Sequence, residues 1–183
     1  MTDVWNNVTI YGPRADIQRF KKMCMKPDEQ VYRAGQSGWD GCGCTISLPP
    51  QDEVEGRQSS VSSYSDYVWN FQQFTSKSAV EYSFSFDSDA EFPVLLFQLL
   101  AAKFPRLAFD CTCIEALDEF MGYGWFNAPP GGEEFRQDFH VPEDYWTGGG
   151  SQKRSPEAQQ AHEARIAELK AAAIEEGRSV QPT

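Results

Sequence analysis

Four of the five cysteines fall in two C-x-C pairs: Cys42 and Cys44 in "DGCGCT", and Cys111 and Cys113 in "FDCTCIE". Thiols so placed have three chemical uses: metal ligation, a redox couple, or disulfides. Zinc sites favour C-x₂₋₄-C spacing, and C-x-C departs from it. A redox pair calls for C-x-x-C. An odd number of cysteines leaves one thiol over in any disulfide scheme. No metal site and no cofactor is therefore expected. Cys111 and Cys113 alternate with Leu107 and Phe109, so they share one face of a strand and read as core. Cys42 and Cys44 stand beside glycines in what reads as a loop without chemistry. Cys24 falls on the apolar face of a helix with Ile17 and Phe20 and also reads as core.

Other catalytic constellations are thin. The two histidines are His140, in an acidic aromatic stretch, and His162, in a terminal helical segment. A Ser-His-Asp or Cys-His arrangement would need His140, and no nucleophile is marked beside it. Asp87 with Asp89, and Asp118 with Glu119, match no calcium-loop spacing. "GCG", "GYG" and "TGGGS" lack the strand context and the Lys-Ser/Thr of a phosphate loop. The chain is not read as an enzyme.

The elements that must position these residues follow from periodicity. "VWNNVTIYG" alternates through Val4, Val8 and Ile10 and predicts a strand. Gly12-Pro13 breaks it, and "RADIQRFKKMCM" predicts a helix with lysines at its end, where the helix dipole favours cations. Residues 27–63 read as a long irregular insertion with "TISLPP" as its one apolar patch. "SDYVWNFQQF" and "AVEYSFSFDSD" alternate and predict paired antiparallel strands joined near "TSKS". "EFPVLLFQLLAAKFP" predicts a helix bounded by Pro93 and Pro105, apolar through Leu95, Leu96, Leu99 and Leu100. "RLAFDCTCIEAL" predicts a last strand. The order strand, helix, strand, strand, helix, strand implies an α+β fold of ferredoxin-like βαββαβ type: a four-stranded antiparallel sheet with two helices on one face.

Beyond this core, "MGYGWFNAPPGGEEFRQDFHVPEDYWTGGGS" suits an extra hairpin or an extended wrap. "SPEAQQAHEARIAELKAAAIEEG" predicts a C-terminal helix with Ser155 as cap, Pro156 at its first position and a thin stripe of Ile166, Leu169 and Ala173. The domain reading is 1–147 for the sheet domain and 148–183 for a flexible joint plus this helix. The helix could dock on the domain, hang free, or pair with a second copy as a homodimer.

Several stretches resemble the YubB-type ferredoxin-like proteins of phages, prophages and conjugative plasmids. "VWNNVTIYGPRADIQRF" is similar to their opening, "TISLPP" to an "IPMP"-like element, and "YVWNFQQFTSKS" to a tryptophan strand followed by a "WGTK" turn. "SFSFDSDAEFPVLLFQLLAAKFPRLAFD" and "MGYGWF" resemble later family elements. The likeness covers residues 3–127, with Trp69, Lys77, Phe86, Pro93, Phe104, Pro105 and Phe109 as the nearest matches. The chain departs from the family at "FTSK" and at "DSDAEFP". The resemblance implies a fold and a mobile-element origin in a bacterial host cell. It implies no reaction and no catalytic residues.

Charge gives the functional reading. The net charge is −11, and residues 81–150 alone carry thirteen acids against three bases. Such a field repels phosphate backbones and attracts basic surfaces. The expectation is a non-catalytic, cytoplasmic interaction protein that docks on a basic host protein or nucleoprotein complex. By mimicking phosphate charge it could inhibit a bacterial defence complex, in the manner of an anti-CRISPR protein. The residues assigned to that surface are Asp87, Asp89, Glu91, Glu115, Asp118, Glu119 and Trp69. The alternative is a nucleic-acid or small-ligand module using the open face of the sheet, where Tyr67, Trp69, Phe71, Tyr82, Phe84 and Phe86 could stack bases. Basic residues and an "RGFGFV"-like element are missing there, so direct nucleic-acid binding is not expected. No apolar run reaches the roughly 18 residues that span a bilayer, and "MTDVWNNVTIYG" lacks signal-peptide character, so no membrane role is expected.

Overall fold

Alternation builds the centre of the sheet. In β1 (Asp3–Tyr11), Val4, Asn6, Val8 and Ile10 are buried while Asp3, Trp5 and Asn7 face outward. β5 (Glu81–Asp89) does the same with Tyr82, Phe84, Phe86 and Ser88. The two strands pair antiparallel over their whole length. The computed structural model that shows this describes residues 2–28, 42–49, 64–76, 78–142 and 156–179.

The remaining elements are α1 (Arg14–Cys24), β2 (Met25–Pro27), β3 (Cys42–Ser47), β4 (Ser65–Phe74), α2 (Val94–Lys103), β6 (Ala108–Glu115), β7 (Met121–Phe126), β8 (Arg136–Phe139) and α3 (Pro156–Ser179). The four-stranded ferredoxin-like fold expected from the sequence is overturned. Among the described residues the sheet has eight strands, each pair of neighbours antiparallel, in the order β2-β3-β4-β5-β1-β6-β7-β8.

The four additional strands lie where the sequence offers weak strand signals. β2 is three residues long, and its last is a proline. β3 falls inside the 27–63 stretch expected to be irregular, and its "CGCTIS" contains a glycine, which lowers strand propensity. A Cβ on Gly43 would stand 1.9 Å from the Tyr67 hydroxyl oxygen, which would have to swing aside to admit it. Tyr67 lies across the strand at this point and donates to Asp28 Oδ2 at 2.9 Å. β7 and β8 come from the glycine-rich aromatic stretch. Gly124, at φ +133°, has the backbone of Glu134 and Phe135 at 2.6 Å from where a Cβ would stand, so only glycine admits that close approach. The rest of the 27–63 insertion, Lys77, the "TGGGS" joint and the Ser155 cap lie outside the described residues.

Ile17, Phe20 and Cys24 of α1 and Leu96, Phe97 and Leu100 of α2 join one buried cluster with Val8, Phe84, Phe86, Phe109 and Cys111. Aromatic packing dominates it: Phe97 stacks on Phe86 at 6.2 Å and meets Phe109 edge-on at 6.1 Å. Asn127, at φ 55°, ties the end of α2 to the sheet. Its Nδ2 reaches the carbonyls of Ala101, Phe104 and Leu107 at 2.9, 3.1 and 2.8 Å.

The other side of the sheet carries α3. Ile166 and Leu169 pack on a second cluster of Tyr11, Ala108 and Trp125. His162 Nε2 lies 3.1 Å from Asp110 Oδ2, and Lys170 Nζ lies 3.3 Å from Glu81 Oε2. Of the three uses open to the helical stripe, docking on the domain is the one that Ile166 and Leu169 make. The Ala173 side chain lies outside the described residues. Among the described residues no helix is long and apolar enough to cross a membrane.

Candidate functional site

The cysteines separate by burial. Cys24, Cys44, Cys111 and Cys113 are free thiols buried in the core. Burial pushes the Cys24 and Cys113 thiols up to about 12 and raises Cys111 well above the usual thiol range. The loop reading of Cys42 and Cys44 is corrected: both lie in β3, and Cys44 points into the core. The Cys42 side chain lies outside the described residues. Among the described residues no three metal-ligating side chains converge. Of the histidines, His140 is exposed, whereas His162 contacts Asp110 and lies 5.0 Å from the Trp125 ring. The sequence reading left His162 uncoupled, because its partner lies on β6, far away in the chain.

The carboxylates do converge. β1 starts, and β5 and β6 finish, at one end of the sheet, where Asp3 pairs with Asp89 and Val4 with Glu115. Asp3, Asp89, Glu91, Asp118 and Glu119 are all exposed there. Like charges directly opposite one another across two strands are destabilising, so the surrounding structure must hold them. Two buried polar groups do so. Asn6 Nδ2 donates to the carbonyls of Val4 and Phe86 and to Ser88 Oγ, at 2.8, 3.2 and 2.8 Å. Ser88 Oγ donates onward to the Glu91 carbonyl at 2.7 Å, which fixes the turn that presents Asp89 and Glu91.

Glu115 serves the neighbouring turn. It is 2% exposed. Its Oε2 accepts from the backbone N–H of Leu117 and Glu119 at 2.8 and 3.2 Å. Its place among the partner-facing acids is corrected: it latches the loop that presents Asp118, at φ 60°, and Glu119.

Asp87 and Trp69 sit beside this end. Phe86 and Ser88 are buried, so Asp87 projects from the opposite face. Its strand neighbours are Trp5 on one side and Trp69 on the other. Asn70 Nδ2 donates to Asp87 Oδ2. Burial raises the Asp87 pKa, the Asn70 hydrogen bond opposes that rise, and the charge of Asp3 adds to it. β4 pairs with β3 from Ser65 to Phe71, with an irregularity after Val68, but joins β5 only from Trp69 onward. Where the two strands part lies a groove of about 410 Å³, lined by Trp69, Tyr64 and Leu95 together with Asp66, Asp89 and Glu91.

Asp87, Asp89, Glu91, Asp118, Glu119 and Trp69 thus lie around one end of the sheet, and Glu115 lies inside it. Asp3, Trp5 and Asn70 were missed. The outward place of Trp5 was readable from the alternation of Val4, Val8 and Ile10. The approach of Asp3 to Asp89 depends on strand pairing and was not. As for the open sheet face of the alternative reading, α3 occupies the part around Tyr11, Ala108 and Trp125. Phe71, Tyr82, Phe84 and Phe86 are buried in the core on the other side. Comparison of the chain with protein-family models, curated proteins and solved structures finds no match.

Proposed function

We propose that this chain is a non-catalytic, phage- or plasmid-encoded interaction protein whose acidic end docks on a basic surface of a bacterial host protein or nucleoprotein complex. One observation carries the reading. Exposed carboxylates from three separate stretches (Asp3; Asp89 and Glu91; Asp118 and Glu119) are gathered at one end of the sheet. Three buried hydrogen-bonded residues, Asn6, Ser88 and Glu115, brace the sheet end and position the turns that bear Asp89, Glu91, Asp118 and Glu119. Such a field steers a basic partner into register. The groove beside it adds apolar surface with an acidic rim, the anatomy of a docking site.

Carboxylates held in fixed positions imitate phosphate charge, so this end suits a groove built for nucleic acid. Inhibition of a host defence complex, anti-CRISPR action included, is the form of the proposal that joins that physics to the YubB-type resemblance. The setting is the bacterial cytoplasm. The alternative as a nucleic-acid module is disfavoured, because the part of the second face away from α3 carries Asp87 and adjoins Asp3 and Asp89.

Affinity capture with the tagged chain from a bacterial lysate, with and without nuclease, tests the reading. A near-stoichiometric protein that survives nuclease and is lost when Asp89, Glu91, Asp118 and Glu119 are changed to lysine supports it. Capture that the four reversals leave unchanged overturns it.

A further inference from the structure

The groove at the acidic end has apolar walls that acidity alone does not call for. By alternation Asp66 shares the face of Val68, which is buried in the same cluster as Leu96 and Phe97 of α2. Val94 and Leu95, in the first turn of α2, line the groove together with Asp66 and Val68, and Tyr64 and Trp69 add ring surface. Leu95 is 52% exposed and Tyr64 36%. Single exposed apolar side chains are ordinary, but several bordering one cavity mark a binding surface. The volume of about 410 Å³ falls within the roughly 300–1,000 Å³ of pockets that take a ligand.

The charge in that lining is of one sign. Asp66 is partly buried, which raises its pKa, and among the described residues no donor or cation acts against that rise. A carboxylate so placed gains most from a cation brought to it. Asp89 and Glu91 line the same groove and are exposed. A phosphate-bearing ligand would meet these three carboxylates, and a purely apolar ligand would take them from water with no partner. An apolar side chain with basic residues beside it satisfies both the walls and the charge, since lysine and arginine also lay their apolar stems on such surfaces.

We infer that this groove receives one leucine-sized apolar side chain of the basic partner, flanked in that partner's sequence by basic residues that meet Asp66, Asp89 and Glu91. This rests on the docking reading above and names the feature of the partner that is recognised. The exposed acids of the sheet end bring the basic segment in, and Leu95 with its neighbours selects the segment that carries an apolar residue at the right place. Charge complementarity favours a protein partner over a phosphate-bearing one.

Anisotropy titrations at low salt with labelled oligo-lysine peptides of equal length, one with a central leucine and one with a central serine, test the inference. The unaltered chain is expected to bind the leucine peptide about ten-fold tighter, the factor that about 1.4 kcal/mol of apolar burial supplies. Leu95→Gln, a change at an exposed helical position, is expected to erase that preference while leaving the serine peptide bound as before. Asp66→Asn is expected to weaken the leucine peptide about three-fold, as the loss of one partly buried ion pair would. Circular dichroism melts confirm that each variant is folded. Equal affinity for the two peptides, a preference that survives Leu95→Gln, or a leucine peptide indifferent to Asp66→Asn overturns the groove as the receptor and leaves the acidic-docking reading standing. Absence of binding to either peptide overturns both.

Discussion

Asp87 shows how one residue ties function to a cost in stability. Its carboxylate sits between tryptophan-bearing strands, where burial raises its pKa and the Asn70 hydrogen bond only partly compensates. With the folded pKa above the unfolded one, folding takes up a proton. The penalty is therefore absent at acid pH. It grows as pH rises through the ordinary carboxylate range to the folded pKa, and it is complete above that. Asp87→Asn is expected to melt at or above the unaltered chain at neutral pH, by on the order of 1–2 °C given solvent screening of a half-exposed group. The difference should vanish at acid pH. A neutral-pH melting point that drops instead would show that the ionised carboxylate stabilises the fold, contrary to the cost argued from its burial. At this scale the sequence was partly legible. Cys24, Cys111 and Cys113 read as core because their neighbours set the period. Glu115 did not read as buried, because a carboxylate at a strand end is ordinarily solvated, and only the folded turn reveals the two backbone N–H groups that hold it.

At the scale of elements, legibility followed side-chain period. β1, β4, β5 and β6 alternate and were placed from sequence, as were α1 and α2 from their apolar faces. β3 was not assigned as a strand, and β7 was offered only as part of an extra hairpin or an extended wrap, because each contains glycine where a strand would ordinarily carry a side chain. Those glycines answer to close approaches across the sheet, by Tyr67 at Gly43 and by the Glu134 backbone at Gly124. With these strands left out of the expected core, the sheet was expected at half its width. α3 was legible as a helix, but its site of docking was not, since a stripe as thin as Ile166 and Leu169 suits several neighbours. The structure sets that stripe on Tyr11, Ala108 and Trp125 and brackets it with the His162–Asp110 and Lys170–Glu81 contacts. Leu169→Asp is expected to release α3 alone, because the phenylalanine core on the other face of the sheet contains no α3 residue. Amide hydrogen exchange across residues 156–172 should speed at least ten-fold, roughly the factor for losing one partly buried apolar contact of about 1–2 kcal/mol. β1 and β5 should keep their protection. Unchanged exchange in α3 would mean that the seam does not hold the helix.

At the scale of the whole molecule, the charge distribution was legible as an excess of acid in residues 81–150, but its shape was not, because that requires the strand register that brings Asp3 to Asp89. The fold divides the labour of binding. Exposed carboxylates at the sheet end act through solvent, and their reach is set by a Debye length of about 8 Å at physiological salt. Trp69 and the groove it lines act only on contact. Rim charges govern association, whereas buried anchors govern dissociation. For the captured basic partner, raising sodium chloride from low concentration to about 0.5 M is expected to slow association at least ten-fold and to leave dissociation nearly unchanged. Trp69→Ala is expected to do the reverse, speeding dissociation with little effect on association. Biolayer interferometry on the immobilised chain separates the two rates. Association that does not respond to salt would remove the acidic end from the encounter. Trp69→Ala acting on association alone would make the tryptophan one more contributor to the long-range approach, and the division of labour between the sheet end and its anchor would fall.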